Sequence, residues 1–479
     1  MMLSSRVLDT KSIKENFSLF SPFLILATLI ALAVVGAIGL FDTSFVVGAI
    51  IMALIILLRQ DQLAVTAVLL VSLYYDWYQA YRVGALILMV ALLIIFFLNR
   101  SLKRPWVAPR ALWLWALFLG LAIFPAIRGA LTVHDLIIYY PSIVLGALVM
   151  FWLGTIIARD AASIRRFFKI LAGFAVLIAV HTIIQATTGI TLLQSSIATD
   201  YLQSVSNYQL TAGIDVYRLG SFFVDPNWNS AFLALTLFIP LGLFFESPFL
   251  PEKILYLAEA LIILPALLFT YSTGSWLAAL VGMLVFVVLI GQLRYRIQIV
   301  LFAVVAVLFL LVVFSSQVNL LLQHSSDPGE LALRNGVWQT AWRVIQAFPL
   351  TGVGLGHLAY LQRAEPYRVI AQYKPFDHPH NSYLEWGAMA GLPVLCVFLA
   401  LLLLALWLSL QNWARADART RSLIGAGIAA IITLSVNSWS INGWTLPPIA
   451  ASGWLILGAI SSPLLARMQS EKGKEEATS

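Results

Sequence analysis

Residues 377–410 read DHPHNSYLEWGAMAGLPVLCVFLALLLLALWLSL. From position 382 onward the stretch is mostly apolar, and a helix that crosses a membrane needs about 20 such residues. The residues just before it, Asp377 to Asn381, are polar or ionisable apart from one proline. An apolar helix that follows directly on a histidine-rich turn indicates a membrane protein with ionisable chemistry at its surface.

The same apolar character recurs along the chain. Of the 479 residues, 61% are hydrophobic and 11% are charged, whereas an average soluble domain has roughly 25% charged residues. We therefore predict an all-α, polytopic membrane helical bundle with about 12–14 transmembrane helices. The candidate spans are 22–40, 44–58, 62–78, 83–98, 111–127, 136–158, 167–188, 229–246, 253–271, 275–291, 296–315, 382–410, 421–440 and 446–466. The single cysteine, Cys396, excludes an intrachain disulfide framework.

The distribution of Lys and Arg predicts the orientation. The net charge is +7, and most basic residues fall in loops on the side of the amino terminus, as is typical of cytoplasmic loops. This pattern fits a membrane surface, and we expect no nucleic-acid partner. We predict a cytoplasmic segment 1–21, a membrane domain 22–468 and a cytoplasmic tail 469–479. Two polar segments, a loop at 189–228 and a mostly helical insert at 316–381, are predicted to lie together outside.

The insert begins a helix at Asp327-Pro328-Gly329-Glu330. Asp can cap a helix, Pro suits the first helical position, and Glu three residues after the cap can return a hydrogen bond. The helix is expected to continue to about Phe348, just before Pro349. A single apolar stripe is expected to rest on the membrane surface or on the bundle; its residues are Leu331, Trp338, Trp342 and Ile345.

A second polar motif, Arg218 to Asn227, leads into the span at 229–246. The planar guanidinium of arginine matches two phosphate oxygens at once. Arg218 is therefore a candidate diphosphate ligand, or alternatively an interfacial arginine that pairs with Asp215 or Asp225. Asp225 and Asn227 are expected to cap the following helix.

His380 is the candidate general base. Histidine has an ordinary pKa near 6.5, which suits removal of a proton from a sugar hydroxyl, although a lone histidine is more often structural. His378 and Asp377 lie beside it, but two histidines and one aspartate across a proline are a weak metal signal, and we predict no metal. The glycine-rich segment Gly352–Gly356 lacks the Lys-Ser/Thr of a phosphate loop and is interpreted as a tight turn. The clearest buried ionisable candidates, His181 and Glu259, give little support to an ion-coupling site.

These motifs together resemble one family. Arg334 and Trp338 in the insert helix, then FPLTGVGLG at 348–356, HNSYLE at 380–385 and Gly391-Leu392-Pro393 are similar to the O-antigen ligase and polymerase family of bacterial membrane glycosyltransferases. The resemblance covers roughly residues 200–410. It implies a GT-C-like enzyme of the bacterial inner membrane that works on the periplasmic or outer face. Such an enzyme moves a glycan from an undecaprenyl-diphosphate carrier to a glycan or lipid-core acceptor, with inversion and without nucleotide, cofactor or required metal.

The resemblance also assigns roles to residues. Arg218 matches the arginine thought to hold the diphosphate, His380 the histidine proposed to activate the acceptor hydroxyl, and Arg334 a recurrent insert arginine. Family members often carry Ser-Arg-Gly where this chain has Ser272-Thr273-Gly274, so another cation is expected to replace that contact, or the donor differs, or activity is lost. The supporting residues are then Asn381, Arg343, Arg363, Arg368 and Lys374.

Three alternatives stay open at this point. A ligase and a polymerase differ in the acceptor, which the sequence does not decide. A lipid-linked glycan flippase or transporter would place ionisable residues near the middle of the membrane, whereas this chain gathers them in the external segments. A non-catalytic scaffold among envelope-polysaccharide assembly proteins is the third alternative.

Overall fold

The computed structural model describes residues 65–66, 68–69, 72–73, 109–132, 135–136, 139–190, 207–209, 213–290, 293–372 and 375–465. The predicted spans 22–40, 44–58 and 83–98 lie outside these residues, as do most of the span 62–78, the segment 1–21 and the tail 469–479.

Helices dominate the described residues. They are α1 (Leu112–Gly129), α2 (Gly146–Ile157), α3 (Ala161–Thr188), α4 (Pro226–Thr236), α5 (Phe238–Glu246), α6 (Leu250–Leu268), α7 (Thr273–Leu289), α8 (Leu293–Val313), α9 (Ser315–Ser325), α10 (Pro328–Ala347), α11 (His357–Ala364), α12 (Ser382–Glu385), α13 (Leu392–Arg415), α14 (Ala418–Asn437) and α15 (Pro447–Ile460). π-helical turns occupy Tyr140–Leu145 and Trp386–Ala390, and 3-10 turns occupy Ser221–Phe223 and Glu365–Tyr367. Two short strands, β1 (Asn207–Gln209) and β2 (Asp215–Tyr217), pair antiparallel.

Eight helical segments of the described chain are long and apolar enough to cross a membrane. They are Leu112–Gly129, Tyr140–Ile157, Ala161–Thr188, Pro226–Glu246, Arg294–Val313, Leu392–Arg415, Ala418–Asn437 and Pro447–Leu465. The apolar helix α7 is shorter, and α6 carries three charged residues. The predicted all-α polytopic membrane protein is confirmed, and the predicted total of about 12–14 helices includes spans outside the described residues.

The backbones of α2 and α15 lie in direct contact. A Cβ atom added to Gly154 would lie 2.2 Å from the carbonyl oxygen of Leu455, and one added to Gly458 would lie 2.0 Å from that of Phe151. Small residues permit this close approach between membrane helices. The helices α2 and α15 are therefore closely packed, backbone against backbone, within the bundle.

Helix α8 is far less covered by protein. Only 17% of its apolar 18-residue stretch is buried inside the protein, compared with 89% for the corresponding stretch of the segment Pro226–Glu246. Val305 and Val312, for example, are 61% and 77% exposed. In a membrane these side chains face lipid. A single residue, Phe314, separates α8 from α9, the first helix of the insert.

The predicted start of the span 382–410 is wrong. Residues 382–390 form α12 and a π-helical turn, and the long helix begins only at Leu392. Gly391 separates the two with φ 87°, a left-handed conformation that favours glycine. The turn is held from outside, because the backbone N–H groups of Val353 and Gly354 donate to carbonyl oxygens of the turn at 2.8 and 2.9 Å. The glycine-rich segment 352–356 is thus a tight connection to the bundle, as predicted.

Gly129 at the end of α1 completes this connection. A Cβ atom on it would lie 2.0 Å from the carbonyl oxygen of Leu355, and one on Gly354 of the insert would lie 2.5 Å from the Cα atom of Gly129. The N–H of Leu355 donates to the carbonyl oxygen of Pro125 at 2.7 Å. The segment that immediately precedes α11 is therefore fixed to α1.

Helix α10 begins and ends where the sequence predicts. Asp327 caps it by accepting from the N–H of Glu330 at 3.2 Å, but the Glu330 carboxylate accepts from Arg334 at 2.7 Å. The predicted stripe is not the face that packs on the bundle, because Leu331 and Trp342 are each 54% exposed, and its contact with the membrane surface stays a prediction. The buried face instead contains Leu333, Gly336, Val337, Thr340, Ala341, Val344 and Ile345. Gly336 lets α10 approach the backbone at residues 371–372 closely. The face that contains this glycine is therefore the buried one, and Trp342 lies outside it.

Candidate functional site

The segment between β2 and α4 has a constrained backbone. Ser221 and Val224 have φ values of 52° and 67°, a region that a β-branched residue such as Val224 rarely adopts. A Cβ atom on Gly220 would lie 1.7 Å from the carbonyl oxygen of Val224, so glycine is required there. Such backbone strain persists only where the surroundings enforce it, and it is concentrated at functional sites.

Arg218 is buried within this segment, with 7% of its surface exposed. Its Nε donates to the carbonyl oxygen of Thr270 at 2.9 Å, and its Nη2 donates to Oδ1 of Asn227 at 2.6 Å. Asp225 caps α4, as predicted, by accepting from the N–H of Asn227 at 2.7 Å. The prediction that Asn227 also caps is wrong, because its side chain holds the guanidinium instead.

Two residues of α3 support the strained turn. The Nδ1 of His181 lies 2.9 Å from Oγ of Ser221, and the Oε1 of Gln185 accepts from the N–H of Ser221 at 3.0 Å. The imidazole also stacks on the ring of Phe222, with ring centroids 4.0 Å apart. His181 therefore connects a membrane helix to the Arg218 segment, a function that its position inside an apolar stretch did not reveal.

The insert brings a second arginine to this region. Arg334 pairs with Glu330 at 2.7 Å, and both side chains are partly buried. Burial raises the pKa of Glu330, but the charge and hydrogen bond of Arg334 outweigh it, so the pKa is lowered overall. Burial lowers the pKa of His324 in α9, and the nearby charges of Arg218 and Arg334 lower it further. The two arginines therefore act on the same buried histidine and lie in one region of the molecule.

The histidine motif forms a chain of hydrogen bonds. Asp377 Oδ1 lies 2.6 Å from Nδ1 of His378, and Nε2 of His378 lies 3.2 Å from Nδ1 of His380. His380 has φ 49°, an uncommon conformation for a residue other than glycine. Asn381 follows as the cap of α12, and its Oδ1 accepts from the N–H groups of Tyr383 and Leu384 at 3.0 and 3.1 Å. Asn381 thus holds the backbone next to His380.

His357 and Glu385 lie beside this chain of hydrogen bonds, and sequence reasoning missed both as members of the site. The Nδ1 of His357 lies 3.5 Å from Oδ2 of Asp377, and its Nε2 lies 3.4 Å from Oε1 of Glu385. The His357 ring also stacks on that of His378, with centroids 5.1 Å apart. The only sequence signal for Glu385 was its place one helical turn after the histidine motif. His357 gave no such signal, because it lies 20 residues before Asp377 in the sequence.

The electrostatic environment separates the two motif histidines. Burial lowers the pKa of His378, but the hydrogen bond and charge of Asp377 outweigh it, and the pKa is raised overall. Burial lowers the pKa of His380 well below its ordinary value, and the charges of His378 and Arg334 lower it further. The site therefore favours a positive charge on His378 and disfavours one on His380.

Asp225 connects the arginine segment to the histidine motif. Burial raises the pKa of its carboxyl group, while the charges of Arg218 and His378 partly offset that effect. Because the charges of Arg218 and His378 both affect this carboxyl, and that of Arg334 affects His380, the three predicted residues Arg218, Arg334 and His380 belong to one neighbourhood of ionisable groups at one end of the bundle. Their chemical roles stay predictions.

The predicted supporting cations are dispersed. Arg363 Nη1 donates to the carbonyl oxygens of Arg128 and Val353. Arg368 pairs with Glu365 at 2.6 Å, and Lys374 lies outside the described residues. Arg343 is exposed on α10 and lines an open cavity of about 410 Å³ together with Trp338, Gln339, Trp342, Gln346 and Leu384.

Thr273, where the family pattern has arginine, is exposed at the first position of α7. It lies three residues after Thr270, whose carbonyl oxygen binds Arg218. The missing cation therefore belongs to the neighbourhood of Arg218, whereas the described alternatives Arg343, Arg363 and Arg368 lie elsewhere in the insert.

One group of side chains has the composition of a metal site. His357, Asp377 and His378 each offer one ligand atom, and these atoms lie within 4.8 Å of one another. Within this group, Asp377 and His378 share a hydrogen bond of 2.6 Å, whereas the contact between His357 and Asp377 is longer, at 3.5 Å. The expectation of a metal-independent protein remains a prediction that chelation can test.

A comparison with known families gives a match to part of the chain. Residues 260–399 match the family model described as O-antigen ligase. The matched stretch contains Thr273, Arg334, the glycine-rich connection and His380, whereas Arg218 precedes it. No curated protein matches the chain significantly. The predicted resemblance to the O-antigen ligase family is therefore confirmed over residues 260–399 of this multi-pass membrane protein.

Proposed function

We propose that the protein transfers a glycan from an undecaprenyl-diphosphate carrier to a sugar hydroxyl, with inversion at the anomeric carbon and without a metal ion. The family domain and the apolar helices indicate a membrane glycosyltransferase-like function. The donor, the acceptor and the mechanism are the proposal, as is the location of the reaction at the outer face of the bacterial inner membrane.

One observation carries the proposal. Arg218, Arg334 and His380 come from three separate segments, and the charges of the two arginines affect a group of partly or fully buried ionisable residues that includes Asp225, His324 and His380. Two fixed cations beside one neutral imidazole fit a reaction in which an anionic group leaves and a hydroxyl attacks. A cluster assembled only to stabilise the fold would not need two strained segments, one at Ser221–Val224 and one at His380.

The arginines would stabilise the leaving diphosphate. A lipid diphosphate is a good leaving group, so the protein needs cations where negative charge accumulates rather than a general acid, and such stabilisation is commonly the largest catalytic contribution. The hydrogen bonds from Arg218 to Thr270 and Asn227 fix the plane of its guanidinium before the donor arrives. Little reorganisation is then required during the reaction.

His380 would remove the proton from the acceptor hydroxyl. Its lowered pKa keeps the ring unprotonated at neutral pH, which is the form that a general base requires. The attacking oxygen then forms its bond to the anomeric carbon while the bond to the diphosphate oxygen breaks. The diphosphate takes that electron pair, and the configuration at the carbon inverts.

The open cavity on α10 is suited to the acceptor glycan. Its volume of about 410 Å³ is within the range of small-molecule pockets. Trp338 and Trp342 offer aromatic faces, while Gln339 and Gln346 offer amide donors and acceptors for hydroxyl groups. Leu384 of α12 forms part of the wall, so the cavity adjoins the short helix that His380 and Asn381 precede.

The decisive experiment uses purified protein in lipid nanodiscs. The protein is incubated with a lipid-diphosphate oligosaccharide alone, and in parallel with an added lipid-core acceptor. Longer lipid-linked glycan in the first reaction identifies a polymerase, and product only in the second identifies a ligase. The matched control is protein with Arg421→Gln. Arg421 lies near the start of α14, whereas the site is contacted at the other end of that helix, by Ser438. Unchanged donor in both reactions, with folded protein, would refute the proposed transfer.

A further inference from the structure

We propose that Asp377, His378 and His380 form a proton relay, in which His378 is a positioning residue that fixes the tautomer of His380 and receives the proton from its Nδ1. The inference rests on the proposed function, since it describes how that site would handle the acceptor proton. It concerns two residues, Asp377 and His378, to which neither the sequence motifs nor the family assign a role.

The geometry of the relay is continuous. The contacts of 2.6 Å between Asp377 and His378 and of 3.2 Å between His378 and His380 are within ordinary hydrogen-bond range. The two imidazole centroids lie 4.2 Å apart. Pro379, which lies between the two histidines, has a fixed φ angle. His380 follows directly and has a left-handed φ of 49°. The strained conformation and the ring-to-ring contact are thus found at the same residue.

The hydrogen bonds determine which nitrogen carries a proton. An ionised carboxylate only accepts, so Nδ1 of His378 carries the hydrogen that binds Asp377. When His378 is neutral, its Nε2 has a lone pair and accepts from Nδ1–H of His380. The Nε2 of His380 then has the lone pair that a general base needs. The opposite tautomer of His380 would present an N–H group to the acceptor hydroxyl and could not remove its proton.

In the proposed transfer two protons move in sequence. The acceptor hydroxyl gives its proton to Nε2 of His380, while its oxygen forms the new glycosidic bond and the diphosphate leaves with the electron pair of the broken bond. The Nδ1 proton of His380 passes to Nε2 of His378. The resulting imidazolium lies beside the carboxylate of Asp377, and its extra proton is released to water after the products leave.

Charge placement makes the second transfer favourable. His380 is partly buried, and the charge of Arg334 disfavours a proton on its ring. His378 faces several carboxyl groups, which attract a positive charge. The ionisable groups around His378 are Asp377 and His380 on its own segment, His357 on α11, Glu385 on α12 and Asp225 at the start of α4. The relay thus moves the proton from the less favourable ring to the more favourable one.

The test compares His378→Gln, His378→Ala and the exposed control Gln362→Ala on α11. The glutamine amide oxygen can still accept from His380 Nδ1 but cannot take up a proton. We expect kcat to fall by about tenfold or more in His378→Gln and further in His378→Ala, with the KM for the donor unchanged. A mixture of H2O and D2O should reveal two transferred protons in the original protein and one in His378→Gln.

The pH profile provides a second measurement. His378 must be neutral to receive a proton, and its pKa is raised, so activity is lost as the pH falls through that pKa. In His378→Gln this group is absent, and the acid limb of kcat/KM should move to lower pH, because the remaining base His380 has a lowered pKa. A purely structural role of His378 would reduce the amount of folded protein without moving the limb.

A measurement independent of activity uses protein labelled with 15N-histidine. The chain has six histidines, and the signal lost in His380→Gln identifies the ring of interest. At a pH above the raised pKa of His378, where His378 is neutral, we expect that ring to be protonated at Nδ1 and to change tautomer population in His378→Ala. Protonation at Nε2, or an unchanged acid limb and proton count in His378→Gln, would overturn the relay. Full activity of His380→Ala would instead refute the proposed base itself, so the two failures are distinguishable.

Discussion

Replacement of Arg218 with lysine tests whether the guanidinium fork matters or only its charge. In the structure the side chain makes two charge-assisted hydrogen bonds, one from Nε to Thr270 and one from Nη2 to Asn227. Lysine keeps the positive charge but has one nitrogen on a flexible chain. The lysine nitrogen can therefore either bind Thr270 or Asn227 within the protein or contact the donor. It lacks the planar group with several nitrogens that can do both at once.

The expected magnitude comes from the contact that is lost. A hydrogen bond with a charged partner contributes about 1.5–3 kcal/mol, which corresponds to a roughly 10- to 150-fold loss in kcat/KM. The assay is the initial rate of glycan transfer at varied donor concentration in nanodiscs, with thermal unfolding as the check on folding. Arg421→Lys, on α14 far from the site, is the matched control. A folded Arg218→Lys protein with kcat/KM within about twofold of the original would refute the reasoning.

Four further outcomes are expected. His380→Ala should abolish transfer while lipid-diphosphate donor still binds, which binding and product assays measure separately; normal product would exclude His380 as the base. Trp342→Ala should raise the KM for the acceptor without changing that for the donor, and an equal change in both would assign the cavity another role. Gly129→Ala should destabilise the protein by about 1–3 kcal/mol, because its Cβ would meet a carbonyl oxygen at 2.0 Å, whereas Gly120→Ala on the same helix, with nothing within 4 Å, should be neutral or slightly stabilising. Chelators should leave the rate unchanged, and loss of activity that is restored by one divalent ion would assign a metal to the histidine cluster.

Local signals predicted a large part of the fold. A long apolar segment by itself predicts a membrane-spanning helix. Helices such as α1, α3 and α14 therefore follow from composition alone, with ends within about six residues of the predicted bounds. The start of α10 was equally predictable, because the cap and its partner are three residues apart. These features need no knowledge of distant contacts.

The errors all concern distant contacts. The break at Gly391 depends on hydrogen bonds from the segment at 353–354, and the buried face of α10 depends on a glycine that meets residues 371–372. Asn227 was expected to cap a helix, but a guanidinium from the preceding loop binds it. Periodicity and capping rules describe one helix at a time, and therefore cannot contain these interactions.

The candidate site shows the same division. His380 and Arg218 were found because their residue types suit the chemistry, whereas His357 and Glu385 enter the site only through contacts of 3.5 and 3.4 Å between separate elements. His181 was expected to matter, if at all, as a charge within the membrane. It instead supports the turn that follows Arg218.

The scant protein cover of α8 links the lipid around the protein to its chemistry. At about 1.5 Å per residue, its 21 residues span roughly 31 Å, close to the thickness of an average hydrocarbon core. A thinner bilayer makes such a helix tilt, and α9 follows it after one residue. Since α9 carries His324, whose pKa the charges of Arg218 and Arg334 lower, we expect bilayer thickness to change the position of this histidine relative to the two arginines.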